Sequence, residues 1–209
     1  MEEEEDYQLR PETLDALLNF YKEKNTQLNL EEKDIDNDED WELNQFWYKK
    51  ETGDNVISLI AKYAKKNKKM NIAIISAPSL YRAYLRNKNL FDDSIKITLF
   101  EFDNKFSSFG EDFVFYDVNE PLKIDEKYHN CYDIVIADPP FLNKDIMHNA
   151  SESMKFLAKK DAAIIFITGL EVTDYIMAEF KDLKLTDIEI EHNKLANPFG
   201  LFSTVELEE

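Results

Sequence analysis

The chain has 209 residues, of which 44% are hydrophobic and 13% aromatic, enough for one folded domain with a sizeable core. Its formal net charge is −18, and the charge is uneven: residues 1–44 carry 16 acids against 4 basic residues, whereas residues 45–209 carry 27 acids against 21. Nucleic-acid-binding proteins usually show the opposite sign, because contacts to phosphate supply most of their affinity. The charge therefore argues against a nucleic-acid partner and favours a basic protein as partner.

Targeting and metal-binding signals are missing from the sequence. It contains no apolar run of 18 residues, and its first residues, MEEEEDYQLR, lack the basic-then-apolar order of a signal peptide, so we expect a soluble, cytoplasmic protein without a membrane partner. The single Cys131 forms no internal disulfide. The three histidines, His129, His148 and His192, have no metal-ligand spacing, and we predict no metal site.

The first 44 residues predict an acidic extension that lies ahead of the main domain. Leucines recur at helical spacing within residues 11–28, which predicts one helix, and the acid-rich residues 29–43 predict a solvated linker. We therefore divide the chain into an N-terminal extension, 1–44, and a domain, 45–209.

The main domain alternates between helical and strand patterns. Helices are predicted over residues 52–66, 79–91, 144–160 and 171–183, and strands over residues 70–78, 95–103, 111–117, 132–141, 162–169, 185–193 and 201–209. This alternation predicts an α/β fold, a mainly parallel sheet with helices on both faces. No helix separates the last two strands, so we expect them to pair antiparallel at one edge of the sheet.

Acidic residues follow several of the predicted strands, at the edge where an open α/β sheet binds its ligand. The acids suit a nucleoside: Asp103 is the candidate for the two ribose hydroxyls, with Glu101 as its rival, and Asp117 could receive the amino group of adenine. Phe102 or Phe115 could flank the base. The alternative is that these acids only cap turns or helices.

The first predicted strand ends in SAPS, residues 76–79, instead of the glycine fingerprint of a dinucleotide site. A pyrophosphate cradled on the following helix is therefore not expected, whereas a nucleoside without phosphates is compatible. Ser76, Ala77 and Pro78 are the predicted cofactor-binding residues of this loop.

The fourth predicted strand ends in DPPF, which is the most specific signal in the chain. Its residues Asp138, Pro139, Pro140 and Phe141 resemble the D/N-P-P-F/Y/W signature of amino-group methyltransferases that use S-adenosylmethionine. An amine needs acceptors for its hydrogens so that its lone pair points at the methyl group. The Asp138 carboxylate and the Pro139 carbonyl can supply them, and Phe141 offers a face to a planar or cationic substrate.

The resemblance extends beyond this signature. The blocks QFWYKKET at 45–52, SAPS at 76–79, FEFDNKFSSFGEDFVFYDVNEPL at 100–122, DIVIADPPF at 133–141 and LANPF at 195–199 are together similar to the elongation factor 1-alpha lysine methyltransferase 1 family. Members of that family were earlier described as adenine-specific DNA methyltransferases because of the DPPF-type motif. The resemblance covers about residues 44–205 and leaves the first 40 residues largely unmatched.

The resemblance implies a seven-strand Rossmann-like class I methyltransferase fold, S-adenosylmethionine as cofactor, and methylation of a lysine on elongation factor 1-alpha in the cytoplasm. We expect the protein to act as a monomer. Two other functions stay open. One is an adenine methyltransferase of DNA or RNA with the same DPPF geometry, and the other is a binding module that keeps the fold without catalysis.

The QFWY block, which precedes the first strand, has two interpretations. Phe46 and Trp47 could lie over the cofactor, as a related segment does in similar amino-methyltransferases, and both are predicted cofactor-binding residues on that basis. An aromatic cluster ahead of a helix is also often a core anchor. The sequence leaves both open.

Overall fold

The computed structural model describes residues 47–140, 142–193 and 197–208. The predicted helix and linker of the extension, together with Phe46, Phe141 and part of the LANPF block, lie outside the described residues, and the boundary after residue 44 stays a prediction. Among the helices within those ranges, none combines the length and the apolar character that crossing a membrane requires.

The described chain forms four helices and seven strands. In chain order these are α1 (Lys50–Asn67), β1 (Asn71–Ile75), α2 (Pro78–Arg86), β2 (Lys96–Glu101), β3 (Phe113–Phe115), β4 (Tyr132–Ala137), α3 (Lys144–Leu157), β5 (Ala158–Gly169), α4 (Thr173–Glu179), β6 (Lys184–Ile190) and β7 (Phe199–Ser203). Short 3-10 turns connect some of them, the longest over Asn104–Asp112.

All seven strands belong to one sheet with the order β3-β2-β1-β4-β5-β7-β6. Strands β1 to β5 pair parallel, while β7 pairs antiparallel with both β5 and β6. The chain extends the sheet in one direction from β1 to β3 and then returns to place β4 on the other side of β1. The predicted α/β class and the antiparallel pairing of the last two strands are confirmed, and β7 lies between β5 and β6.

The sheet separates two hydrophobic cores because neighbouring side chains of a strand point to opposite faces. Ile72 and Ile74 of β1 belong to the core under α1 and α2, whereas Ala73 and Ile75 belong to the core under α3 and α4. The helices approach closely where Gly53 of α1 faces α2, since a Cβ there would lie 3.2 Å from the Cβ of Ala83.

Several predicted boundaries were wrong, and the largest differences lie around β5, β3 and β7. Helix α3 ends at Leu157 and β5 begins at Ala158, because Ala158 pairs with Tyr132 and an irregularity follows before the pair Ile134–Ala163. Strand β3 is only three residues long, since the 3-10 turn occupies the residues before it. Strand β7 starts at Phe199, two residues ahead of its predicted start. For β5 and β7, pairing with a neighbouring strand overrides the local pattern.

Candidate active site

Backbone hydrogen bonds align the carboxyl ends of four neighbouring strands. The amide of Asp138 donates to the carbonyl of Ile75 (3.1 Å), and the amide of Ser76 donates to the carbonyl of Phe100 (2.8 Å). Beyond β2, the amide of Tyr116 donates to the carbonyl of Glu101 (3.0 Å). The predicted site loops after β1, β2, β3 and β4 therefore meet at one edge of the sheet, beside the reversal in strand order at which ligands bind in this fold class.

The carboxylate of Asp138 lies at the centre of this edge. It follows β4, whose six residues are all buried, and its own side chain is half-buried. The hydroxyl of Tyr48 donates a hydrogen bond to its Oδ2. Pro139 is buried and Pro140 is half-buried, which fits a loop of fixed shape after the strand.

The charge on Asp138 is sensitive to pH in the neutral range. Burial raises the pKa of Asp138 to about 7; the negative charge of Glu101 adds to this rise, and the hydrogen bond from Tyr48 opposes it. Perturbed carboxyl groups of this kind are concentrated at functional sites. Asp138 is therefore a candidate for a group whose protonation affects a reaction near pH 7.

The SAPS loop is strained at its first residue. Ser76 has φ +52°, in the left-handed region that residues other than glycine rarely adopt. Ala77 and Pro78 follow and are buried, with Pro78 as the first residue of α2. Strain of this kind is found preferentially at functional sites, because the surrounding structure must enforce it.

We expect the Ser76→Val variant to be less stable than the Ser76→Gly variant. Glycine tolerates the left-handed conformation but costs more backbone entropy, so Ser76→Gly should remain within about 0.5 kcal/mol of the wild type. A β-branched residue has no such tolerance, so Ser76→Val should lower the free energy of unfolding by about 1–2 kcal/mol. Urea denaturation of both variants measures this, and equal stabilities would show that Ser76 is not strained.

The two candidate acids after β2 differ in environment. Glu101 is the last residue of β2 and 5% exposed, and its Oε1 accepts a hydrogen bond from the amide of Asp103 (3.1 Å). The carboxylate of Asp103 is already engaged, because Oδ1 accepts from the amide of Lys105 and Oδ2 pairs with its ammonium, both at 2.9 Å. Asp103 therefore caps the 3-10 turn, which is the alternative that the sequence left open for such acids.

Asp117 and the two phenylalanines occupy the outer part of the same edge. The Oδ1 of Asp117 accepts from the amide and the side chain of Asn119 (2.8 and 3.0 Å), so this acid also caps a local turn. Phe102 and Phe115 are 47% and 50% exposed, and their ring centroids are 5.6 Å apart. Two exposed aromatic faces side by side are suited to a planar ligand.

The segment before α1 crosses the carboxyl end of β6. Tyr48 forms an antiparallel bridge with His192. The amide of Lys49 donates to the carbonyl of Glu191 (2.9 Å), and the amide of Asn193 donates to the carbonyl of Trp47 (3.0 Å). Trp47 is 5% exposed, and the guanidinium of Arg82 lies 4.4 Å from its ring centroid. Trp47 therefore packs as a core anchor, one of the two interpretations of the QFWY block.

Sequence reasoning missed Tyr48 and His192. Both are buried, and their ring centroids lie 5.0 Å apart. The one available signal was that Tyr48 belongs to the QFWY block, of which only Phe46 and Trp47 were predicted to bind the cofactor. Nothing in the local sequence connects Tyr48 with a carboxylate 90 residues away.

A separate group of polar residues joins α3 and α4. Ligand atoms of His148, Glu152 and Glu179 lie within 4.8 Å of one another, which the spacing of the histidines did not predict. The ammonium of Lys155 lies 3.1 Å from Glu152 and 2.7 Å from Glu179. Because a lysine supplies the positive charge there, this group is an ion-pair network of the helix surface.

The sheet order and the site at its reversal define a class I methyltransferase fold. A crystal structure described as that of "a putative RNA methyltransferase PH1948 from Pyrococcus horikoshii" has the same fold, with a TM-score of 0.51 and 20% identity over 88% of this chain and 98% of that one. The family model described as "Probable N6-adenine methyltransferase" matches residues 39–207.

Two relatives are similar over nearly their whole length. The human EEF1A lysine methyltransferase 1 is 35% identical over 97% of this chain and 94% of its own. Protein-lysine N-methyltransferase M142.8 from Caenorhabditis elegans is 32% identical over 94% and 93%. The chain belongs to the EEF1A lysine methyltransferase 1 family.

Proposed function

We propose that this protein is a cytoplasmic, monomeric, S-adenosylmethionine-dependent protein-lysine N-methyltransferase that acts on elongation factor 1-alpha. The observation that carries the proposal is the Asp138 carboxylate, which begins the DPPF motif after β4 and lies beside the strained SAPS loop and the buried Glu101. The names of the relatives from human and Caenorhabditis elegans supply the class of substrate.

The residues at the carboxyl edge fit a nucleoside cofactor. Glu101 is a buried carboxylate at the end of β2, where such folds bind ribose, and Phe102 and Phe115 present neighbouring faces for a base. The SAPS loop offers no glycine-rich anion cradle, which a cofactor without phosphates does not need. We assign Ser76, Ala77 and Pro78 to the walls of this site, with Asp103 and Asp117 at its rim. Cofactor binding by Phe46 and Trp47 stays a prediction from the sequence, because Phe46 lies outside the described residues and Trp47 packs in the core. When bound, S-adenosylmethionine would supply the methyl group that the amine accepts.

The chemical problem is that lysine is a cation at neutral pH. With a solution pKa of about 10.4, roughly one lysine in 2,500 is neutral at pH 7, which corresponds to about 4.6 kcal/mol. A carboxylate favours the ammonium form, so Asp138 does not deprotonate the substrate simply by lying beside it. We propose that the proton leaves to water before transfer.

The contribution of Asp138 comes during transfer. The Asp138 carboxylate and the Pro139 carbonyl accept hydrogen bonds from the amine and thereby orient its lone pair. As the nitrogen would form its new bond to the methyl carbon, the carbon–sulfur bond of the cofactor would break and leave a neutral thioether. The nitrogen becomes positively charged in this step, and the Asp138 carboxylate stabilises that charge. Pro140 fixes the shape of the loop. Phe141, which lies outside the described residues, keeps its predicted role of offering an aromatic ring to the substrate.

The alternative is an adenine methyltransferase, which the description of the matching family model favours. Such an enzyme must neutralise phosphates near its site. The basic run at residues 65–69 ends α1 and precedes β1, so it lies at the amino end of the sheet, opposite Asp138. Two of its lysines are already paired, Lys66 with Glu208 and Lys69 with Asp161. The lysine function is therefore the better supported of the two.

We expect the purified protein, given labelled cofactor, to methylate elongation factor 1-alpha and to transfer no label to adenine-containing DNA or RNA oligonucleotides. The acidic edge should attract a basic partner, so kcat/KM should fall several-fold as the screening length drops from about 10 Å at 0.1 M salt to about 3 Å at 1 M. The Asp138→Asn variant is the control for background labelling. Label in the oligonucleotides, with none in the protein, would establish the adenine function instead.

A further inference from the structure

Tyr48 reaches the proposed catalytic carboxylate from a different part of the chain. Its hydroxyl donates to Oδ2 of Asp138 across 90 residues of sequence, and its side chain is 6% exposed. A carboxylate offers about four acceptor positions on two oxygens. One hydrogen bond from Tyr48 therefore leaves acceptor capacity on Asp138 for a substrate amine.

The backbone on either side of Tyr48 is fixed by pairing with the segment that follows β6. The bridge to His192 and the hydrogen bonds of Lys49 with Glu191 and of Trp47 with Asn193 hold it at both ends. The ring of Tyr48 packs against that of His192, which in turn lies 4.4 Å from the ring of Phe199. The hydroxyl is thus presented by a constrained segment.

The direction of the hydrogen bond follows from the environment of the phenol. Burial, together with the neighbouring charge of Asp138, raises the pKa of Tyr48 well above its ordinary value. Tyr48 therefore stays protonated at neutral pH, donates to Asp138, and cannot serve as the base that takes a proton from lysine. The other charged group acting on Asp138 is Glu101, and the ring of His192 packs against that of Tyr48.

We propose that Tyr48 is a positioning residue of the active site, whose hydroxyl holds one oxygen of Asp138 and keeps this carboxylate ionised and correctly aimed for the substrate amine. The inference rests on the proposed function for the step that Asp138 performs. The link between the two side chains is independent of the identity of the substrate, and it can be measured in the free protein.

The first test is the titration of Asp138 in the free protein. The carboxyl ¹³C resonance of Asp138 is identified by its absence in Asp138→Asn. Removing the donor in Tyr48→Phe should move its midpoint from about 7 to a higher pH, because a hydrogen bond to the charged form lowers a carboxyl pKa. The matched control is Tyr81→Phe, which removes another buried hydroxyl on a carboxylate, that of Asp112 at 2.8 Å, and should leave the midpoint unchanged.

The second test is the split between kcat and KM with the protein substrate. Tyr48→Phe should lower kcat about tenfold or more with little change in KM, in line with the loss of a hydrogen bond to a charged group. The acid side of the kcat–pH profile should also move to higher pH, since Asp138 then becomes protonated at a higher pH than in the wild type. Tyr81→Phe should change none of these quantities.

The outcomes separate this inference from the proposed function. An unchanged Asp138 midpoint in Tyr48→Phe overturns the inference, as does a shifted midpoint with unchanged kcat. If the wild type methylates no protein, the proposed function fails. The Asp138 midpoint in Tyr48→Phe still tests the inference in that case, and an unchanged midpoint would overturn it as well. Should Tyr48→Phe not fold, 3-fluorotyrosine at position 48 keeps the ring and hydroxyl but is a stronger donor, so the midpoint should fall; an unchanged midpoint again overturns the inference.

Discussion

Asp138→Asn is expected to lower methyl transfer to the lysine substrate by at least about 100-fold, the usual cost of removing a group that stabilises developing charge in a transition state. Asparagine keeps the size of the side chain and an acceptor oxygen, but it lacks the negative charge that stabilises the positive charge developing on the nitrogen. Single-turnover assays with labelled cofactor measure the loss. A variant with more than a tenth of wild-type turnover, equal to a deficit below about 1.4 kcal/mol, would exclude this role.

The pH dependence of stability shows whether the Asp138→Asn variant is correctly folded. Because burial raises the folded-state pKa of Asp138 to about 7, above the ordinary value near 3.8, its ionisation costs stability as pH rises through this range. The wild type should therefore lose stability, relative to Asp138→Asn, between about pH 4 and pH 7. Thermal unfolding at several pH values tests this. If Asp138→Asn were much less stable at pH 8, its inactivity would reflect misfolding.

Glu101→Gln is expected to weaken binding of S-adenosylmethionine by about 10- to 100-fold, whereas Asp103→Asn should weaken it only slightly. Hydrogen bonds to a charged group contribute about 1.5–3 kcal/mol, and the Glu101 carboxylate is buried at the end of β2. Asp103 is held by the amide and the ammonium of Lys105. The sequence favoured Asp103, so the structure changes our preferred candidate.

Calorimetric titration of the cofactor into both variants measures this difference. The two substitutions are matched, since each removes one negative charge at the carboxyl end of β2 and keeps the side-chain length. A larger loss of affinity in Asp103→Asn than in Glu101→Gln would show that Asp103 binds the ribose hydroxyls. Equal and small losses of affinity would show that neither acid binds the cofactor.

Much of the fold could be predicted from local patterns. Short apolar runs such as MNIAIISAP and YDIVIADPPF are typical of strands buried on both faces, and β1 and β4 are buried at nearly every position. The DPPF motif was predicted to end a strand because proline cannot continue the ladder, and β4 ends at Ala137. These features depend on residues close in sequence, which is why periodicity and chain-breaking residues are sufficient to find them.

The tertiary structure decided which polar groups meet. The position of β7 between β5 and β6, the early start of β5 at Ala158, and the Asp138–Tyr48 hydrogen bond all require segments that are distant in sequence. The sequence by itself determined the class of fold, and it predicted that the carboxyl edge of the sheet carries the site, with Asp138 as its central acid. It could not identify Tyr48, or decide between Glu101 and Asp103, because hydrogen-bond partners follow from three-dimensional proximity, which the spacing of residues along a strand does not encode.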